Sequence, residues 1–509
     1  MMSKIQSAAF LGIDAYHVEI EVDITEGLPQ FTVVGLPDTS VKESRDRVRA
    51  AIKNSGYPFP QDRITVNLAP ADIRKEGPSF DLPVALGILA SQEIIPQETL
   101  RKHIFLGELA LDGSLRPFKG AVVIASSLKK SNTLVLPIQN ALEASLDKEA
   151  LVYPVNSLRE VAEFLSGERD IQPIASNSLH SDLWSPTYST DFSDVKGQHF
   201  AKRAIEIAVA GEHNLLLIGP PGAGKTMLAR RIPTILPPLQ FDETMAVTKI
   251  HSVAGLIQNG APLIQERPFR SPHHTISPVA MIGGGTWPKP GEISLAHEGV
   301  LFLDEFPEFR RDVLESLRSP LEDGMITVSR AKTRISFPSK TTLVAAMNPC
   351  PCGYLTDRRR TCRCTLHQIQ KYQAKVSGPI LDRIDLQVEV SALPFSHLSK
   401  DDSSESSSAI RSRITRYRQI QTERYQKKNY RTNARMSPRD IKLYASPNAE
   451  GRKLLELAMK ELRLSARGYF KILKISRTIG DMAESSEIRP EHIAEAIQYR
   501  SLDRQWWGQ

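Results

Sequence analysis

Cysteine is scarce in this chain. Only Cys350, Cys352, Cys362 and Cys364 occur in 509 residues, all within one short stretch. That clustering excludes the dispersed disulfide framework that staples small secreted domains. Long apolar runs are missing as well, and the N-terminus lacks a charged-then-apolar secretory pattern. A soluble, cytoplasmic protein with no membrane partner is therefore the expectation. Neither an internal repeat nor a coiled-coil heptad is evident, which sets aside solenoids and rods. Charge of one sign is only weakly in excess: 65 Lys and Arg against 58 Asp and Glu leave a net charge of +7. Such a balance permits a nucleic-acid partner without demanding one. The length allows about two to four domains, each able to bury its own core.

What is present begins with LLLIGPPGAGKT, residues 215 to 226. An apolar run ends in Gly219, and GPPGAGKT then fits the pattern of a phosphate-binding loop that opens a helix. Glycines at 219, 222 and 224 let consecutive backbone N–H groups turn inward around a polyphosphate, which the positive end of the following helix also attracts. The nucleotide-binding stretch is thus Gly219, Pro220, Pro221, Gly222, Ala223, Gly224, Lys225, Thr226 and Met227. Lys225 is expected to reach the β- and γ-phosphates of ATP, and the Thr226 hydroxyl to hold Mg²⁺. Downstream, GVLFLDEF (299 to 306) reads as a buried parallel strand delivering two carboxylates at its end, where ligands sit in open α/β sheets. Asp304 is placed for the Mg²⁺ shell, and Glu305 to orient or deprotonate the attacking water. ATP hydrolysis is the expected chemistry.

Between these motifs, FRSPHHTISPVAMIGGGTWPKPGEISLAHEG (269 to 299) is too rich in proline and glycine for one regular element. Its adjacent His273 and His274 leave two readings open, a metal site and a loop facing a central pore. Adjacent residues point apart and no Cys or carboxylate stands at ligand spacing, which favours the loop. MITVSRAKTRISFP (325 to 338) reads as a hairpin whose tip carries Arg330, Ala331 and Lys332, making Arg330 and Lys332 candidate DNA contacts. TTLVAAMNPC (341 to 350) is another buried strand, ending in Asn348. In CPCGYLTDRRRTCRC (350 to 364), two C-x-C pairs supply four thiolates, enough for a closed tetrahedral Zn²⁺ site; free thiols or a redox pair are the alternative. Residues 411 to 435 carry nine Lys or Arg and one acid on a helical frame with tyrosines at 417, 425 and 430. That run is read either as a solvated helix face or as a phosphate contact.

Several stretches resemble known families. RKEGPSFDLPVALG and GELALDGSLRPFKGAVVIAS (107 to 126) are similar to the Lon-protease-type domain, with Ser79 at the nucleophile position. The lysine position of that pattern falls at Val122, with Lys119 nearby, so the resemblance implies a non-proteolytic assembly or DNA-contact module. FRSPHH…GEISLAHEGVLFLDEF resembles the magnesium-chelatase branch of AAA+ proteins, which also includes the MCM replicative helicases, and DVKGQ (194 to 198) resembles the segment that flanks adenine in AAA+ modules. From these resemblances Asn348 takes the sensor 1 role beside Glu305. Arg383, in GPILDRIDLQVEV (378 to 390), becomes an arginine finger acting on a neighbouring subunit, and Arg467 matches the sensor 2 arginine.

The expected fold class is α/β: a Lon-like α/β domain (1–166), a linker (167–190), a P-loop AAA+ α/β core with hairpin and four-Cys insert (191–395, insert 350–364), a linker (396–410) and a helical lid domain (411–509). That order resembles the ComM/YifB family. The resemblance implies a homohexameric ring coupling ATP hydrolysis to unwinding and branch migration of single-stranded and branched DNA during integration of transforming DNA. Rival readings are a chelatase-type motor that remodels a protein partner, and a nucleotide-switched binding module.

Overall fold

The structure is a computed structural model. It describes residues 2–73, 75, 77–127, 133–147, 149–174, 188–257, 262–285, 288–330, 333–357, 359–392, 404–428, 430–462 and 464–502. Two compact units make up the chain: Met1–Trp184 with Thr244–Ile264, and Ser185–Glu243 with Gln265–Gln509.

The first unit is built on a seven-stranded mixed sheet. In chain order its strands are β1 (Met2–Leu11), β2 (Asp14–Thr25), β3 (Gln30–Val34), β4 (Arg63–Ala69), β5 (His103–Phe105), β6 (Thr133–Pro137) and β7 (Leu151–Val155), arranged β3-β4-β2-β1-β5-β6-β7. Alternation along β2 buries Val18, Ile20 and Val22, the period-2 pattern of a strand with one face on a core. Helix α1 (Thr39–Asn54) starts where the Asp38 carboxylate accepts from the Val41 N–H at 2.8 Å, and it buries Val41, Val48, Ala51 and Ile52 along one stripe. Helix α2 (Asp81–Ser91) is buried along its whole length. Gly87 makes that possible, because a Cβ there would stand 2.5 Å from Val22 Cγ2 and 2.6 Å from Ile5 Cδ1.

Val122 lies on α3 (Ala121–Ser127), fully buried with Val123, Leu146 and Val253. An apolar side chain in an apolar cluster thus occupies the position where a lysine base would have to stand. Glu143 accepts from the Val122 N–H at 3.1 Å and bonds the Ser252 hydroxyl. Ser252 and Val253 belong to the helix Phe241–Ala254, which in chain order falls between the phosphate loop and the carboxylate pair. From Thr244 on, this helix is part of the first unit's core.

The second unit carries a five-stranded parallel sheet: β8 (Leu215–Ile218), β9 (Phe269–Arg270), β10 (Val300–Leu303), β13 (Thr342–Met347) and β14 (Leu386–Glu389), in the order β9-β10-β13-β8-β14. The hairpin β11 (Met325–Arg330) and β12 (Thr333–Pro338) stands between β10 and β13 in sequence, with Arg330 paired to Thr333. β8, β10 and β13 are buried at every position, as continuous apolar runs covered on both faces require. Helix α4 (Lys225–Ile235) follows β8 directly. The C-terminal part is helical: α5 (Ser407–Arg424), α6 (Ala449–Glu461), α7 (Ala466–Met482) and α8 (Pro490–Gln498). Ser406 caps α5 by accepting from the Ala409 N–H, so regular structure begins inside the polar stretch 396–410.

Among the described residues no helix is long and apolar enough to cross a membrane.

Candidate nucleotide site

The three strands that carry the motifs, β8, β10 and β13, run the same way, so the phosphate loop, the carboxylate pair and Asn348 arrive together at the C-terminal edge of the sheet. Leu215 lies level with Val344 on one side and Leu386 on the other, and Leu301 lies level with Leu343. The loop from Gly219 to Gly224 needs left-handed backbone at Gly222 (φ 75°) and Gly224 (φ 91°), which glycine adopts freely. Gly219 is also obligatory in size, since a Cβ there would collide with the Val390 carbonyl.

Lys225 is 8% exposed, with Nζ donating to the carbonyls of Gly219 (2.7 Å) and Pro220 (3.0 Å) and to Asn348 Oδ1 (3.1 Å). Burial pushes its ammonium pKa down to about 8, against the pull of Asp304. The Thr226 hydroxyl donates to Asp304 Oδ2 at 2.7 Å. Those two oxygens are the hard donors that Mg²⁺ takes from a protein, the remainder of its shell coming from water and phosphate, so the site fits the ion. Glu305 follows in left-handed backbone (φ 52°), its N–H on Asp304 Oδ1 at 2.9 Å and its carboxylate largely exposed. Gln198 donates to the Ala223 carbonyl at 3.2 Å, which brings the 194–198 segment to the loop. Beside it opens a cavity of about 430 Å³ lined by Phe192, Lys196, Gly197, His199, Lys202 and Ile410 among others.

One residue of this site was not assigned to it from the sequence. His274 Nδ1 lies 3.3 Å from Glu305 Oε2. The signal was latent in strand register: β9 pairs with β10 so that Phe269 faces Val300 and Arg270 faces Leu301. Continuing that offset past the strand ends puts 274 level with 305.

Arg383 and Arg467 are not at this edge. They lie together at the opposite, N-terminal end of the same sheet. Arg383 pairs with Glu322 and donates to the Pro379 carbonyl at 2.8 Å, rather than pairing with Asp382 or Asp385. Arg467 instead lies 3.3 Å from Asp382. Asn214, just before β8, ties this end together by donating to the Arg383 carbonyl (2.8 Å) and accepting from the Leu343 N–H (2.8 Å). Asp385 accepts from the Asn214 N–H at 2.9 Å and lies 3.0 Å from Lys471. Burial alone would raise its pKa, yet Lys471 and His213 hold it well below the usual carboxylate range. A cavity of about 260 Å³ here is lined by Arg383, Arg467, Arg435, Lys471 and Lys474 with Asp382 and other residues.

The four cysteines form a cluster with all sulfurs within 4.8 Å of one another. Sγ separations are 3.4 Å for Cys350 to Cys352, 3.7 Å for Cys350 to Cys362 and 3.6 Å for Cys352 to Cys362. Four sulfurs each about 2.3 Å from a zinc ion at the centre of a tetrahedron lie about 3.8 Å apart. The donor set and its spacing therefore fit a tetrahedral zinc ion.

The basic run 411 to 435 is largely committed inside the chain. Arg413 pairs with Glu206 and Glu405, Arg418 and Arg435 with Glu212, Arg424 with Asp481, Lys428 with Asp440 and Arg431 with Asp242. Of its tyrosines, Tyr417 and Tyr425 are buried. At the hairpin tip, Lys332 lies outside the described residues, and only the backbone of Arg330 is described.

Residues 191–398 match the family described as magnesium chelatase, subunit ChlI; residues 20–140 match subunit ChlI of Mg-chelatase, and residues 404–500 its C-terminal part. The competence protein ComM of Haemophilus influenzae is 45% identical over 509 residues, spanning 99% of this chain and 98% of ComM. An uncharacterized protein, YifB of Salmonella typhimurium, is 44% identical over 507 residues, 99% of this chain and 98% of its own. Lon protease 2 of Bacillus subtilis is 27% identical over 165 residues, 30% of this chain and 29% of its own.

Proposed function

The chain belongs to the ComM/YifB family and carries the magnesium-chelatase type of AAA+ ATPase, and from that premise we propose that it is a ring-forming DNA motor, a helicase that promotes branch migration while transforming DNA is integrated. The observation that carries this reading is the split of the catalytic set across the sheet. Lys225, Asp304, Glu305 and Asn348 stand at one edge and Arg383 and Arg467 at the other, with the four residues of β8 between them. At about 3.3 Å per residue that separation is about 13 Å, too far for either arginine to reach a phosphate held by its own loop. A head-to-tail ring of identical subunits, a homohexamer in the family, brings the arginine edge of one subunit onto the nucleotide edge of the next.

Each residue then has a task. Backbone N–H groups of residues 219 to 224 and Lys225 hold the phosphates of ATP, and the 430 Å³ cavity beside Gln198 takes the adenine end. Thr226 and Asp304 hold Mg²⁺, which offsets phosphate charge when bound. Glu305 orients the lytic water and accepts its proton, Asn348 keeps Lys225 and the water in register, and His274 holds the Glu305 carboxylate. From the neighbour, Arg383 and Arg467 stabilise the charge that develops on the γ-phosphate. The four thiolates hold a structural zinc ion. DNA in the cytoplasm, single-stranded or branched, is gripped through its phosphates by the hairpin tips with Arg330 and Lys332.

A chelatase-type motor acting on a protein partner is the second reading, favoured by the chelatase family's own description. ATP turnover measured with and without single-stranded, duplex and branched DNA separates the two. The DNA motor requires stimulation by single-stranded or branched DNA; turnover indifferent to every DNA supports the chelatase-type reading and overturns this one.

A further inference from the structure

The cysteine cluster shares a wall with the phosphate loop. Cys350 comes two residues after Asn348, and the turn it begins is closed by the Gly353 N–H donating to the Cys350 carbonyl at 3.0 Å. Gly353 has left-handed backbone (φ 83°) and no room for a side chain: a Cβ there would stand 2.6 Å from Pro221 Cδ, 2.8 Å from Pro221 Cγ and 3.8 Å from Asn348 Cγ. The turn that presents Cys350 and Cys352 therefore lies flat against the ring of Pro221 in the phosphate loop, next to the side chain that accepts from Lys225. The backbone N–H of Cys364 donates to the Cys362 sulfur at 3.5 Å. Such N–H to sulfur contacts orient thiolate ligands around a metal. The other end of the cluster is anchored as well. Thr365, directly after Cys364, caps the helix Leu366–Gln373, and Gln373 of that helix donates to the Pro349 carbonyl at 3.4 Å.

We propose that metal occupancy of the cluster controls the ATP site: a thiolate-preferring, tetrahedral divalent cation of the zinc type fixes the turn Cys350–Gly353 against Pro221 and Asn348, and its loss releases both. This rests on the ATPase and zinc assignments above. With the metal bound, four sulfurs share one centre and the turn has a single conformation. Without it the sulfurs lose their common partner, Gly353 no longer braces Pro221, and Asn348 no longer holds Lys225 in place. The sheet itself, buried independently of the cysteines, keeps its fold.

The test uses purified full-length protein under reducing conditions with excess Mg²⁺. Zinc content, affinity for a fluorescent ATP analogue and ATP turnover are followed as a chelator removes the metal and as zinc is restored. The expectation is about one zinc per chain at the start, at least a roughly 10-fold fall in turnover or nucleotide affinity as it leaves, and recovery on re-addition. Because removing a ligand could unfold the insert, Gly353→Ala provides a second arm with all four cysteines intact. It should retain its zinc yet lose at least about 5-fold in nucleotide affinity or turnover through the displaced Pro221. Zinc-free protein with full affinity and full turnover, or Gly353→Ala with full zinc and full activity, overturns the coupling alone. Freshly reduced protein without zinc overturns the metal assignment as well, whereas zinc-loaded protein with no ATP turnover in any state overturns the ATPase reading.

Discussion

At the scale of single residues, hydrolysis is proposed to depend on Glu305 and the two groups nearest it in role. Glu305→Gln keeps the shape and leaves Asp304 and Thr226 untouched, so ATP should bind normally while turnover falls at least about 10²-fold with the loss of the base. Unchanged turnover in a steady-state assay would remove Glu305 from that role. His274, 3.3 Å from the same carboxylate, is proposed to act through it. His274→Ala should lower turnover about 10-fold with nucleotide affinity intact, and a change confined to affinity would place the histidine on the nucleotide instead. Lys225 carries a pH signature. Burial brings its pKa to about 8, below the usual lysine range. The free site therefore loses its ammonium as pH rises through about 8, and affinity for nucleotide should fall in the same window; a binding titration flat from pH 7 to 9 would contradict this. The types of these residues were readable because phosphate and Mg²⁺ chemistry demands Lys, Thr and Asp at fixed spacing. His274 was not, since its tie to Glu305 depends on the register of β9 against β10, which is a long-range pairing.

Among the elements, the buried strands were the most legible, because apolar runs bounded by glycine or by a charged pair leave few other conformations. The close approach of α2 to β1 and β2 was not legible, since it rests on Gly87 facing Val22 and Ile5, residues far away in the chain. Gly87→Ala should therefore destabilise the first unit by about 1–3 kcal/mol through overpacking, seen as a lower thermal midpoint, with turnover of the folded protein unchanged. A neutral or higher midpoint would mean that the helix can shift without cost. RRDVLESLRSPLEDG reads as one helix, yet it forms two short ones, Arg311–Ser316 and Arg318–Asp323, with Pro320 in the second. Proline lacks the N–H that a continuous helix would use at that point. The basic run 411–435 reads from sequence as either a solvated helix face or a phosphate contact; in the structure most of its cations find carboxylates far away in the chain, Arg418 on Glu212 and Arg424 on Asp481 among them. The proposed DNA contact is accordingly assigned to the hairpin β11–β12. Arg330→Ala with Lys332→Ala should leave basal turnover near normal while reducing stimulation by DNA and flattening the dependence of DNA affinity on salt. Full stimulation in the double variant would take the hairpin out of the DNA path.

For the whole molecule, the central claim is that one ATP site is completed by two subunits and that the work goes into DNA. Arg383→Ala should bind nucleotide yet hydrolyse almost none, whereas Lys225→Ala should hydrolyse almost none because it binds nucleotide weakly for want of phosphate contact. Mixing the two creates interfaces in which an intact loop meets an intact finger. Recovery of turnover on mixing supports action across subunits, and its absence at every ratio supports action within one. The family and its ATPase chemistry were recognisable from the order of motifs along the chain, whereas the split between sheet edges emerged only once the strands were placed side by side. The most direct test is ATP-driven branch migration of a labelled three-strand DNA junction by the intact protein. Displacement is expected to require hydrolysable ATP, to disappear in Lys225→Ala and in Glu305→Gln, and to return in the mixture of Lys225→Ala with Arg383→Ala in proportion to restored turnover. Brisk ATP hydrolysis with no strand displaced on any junction would contradict the central claim.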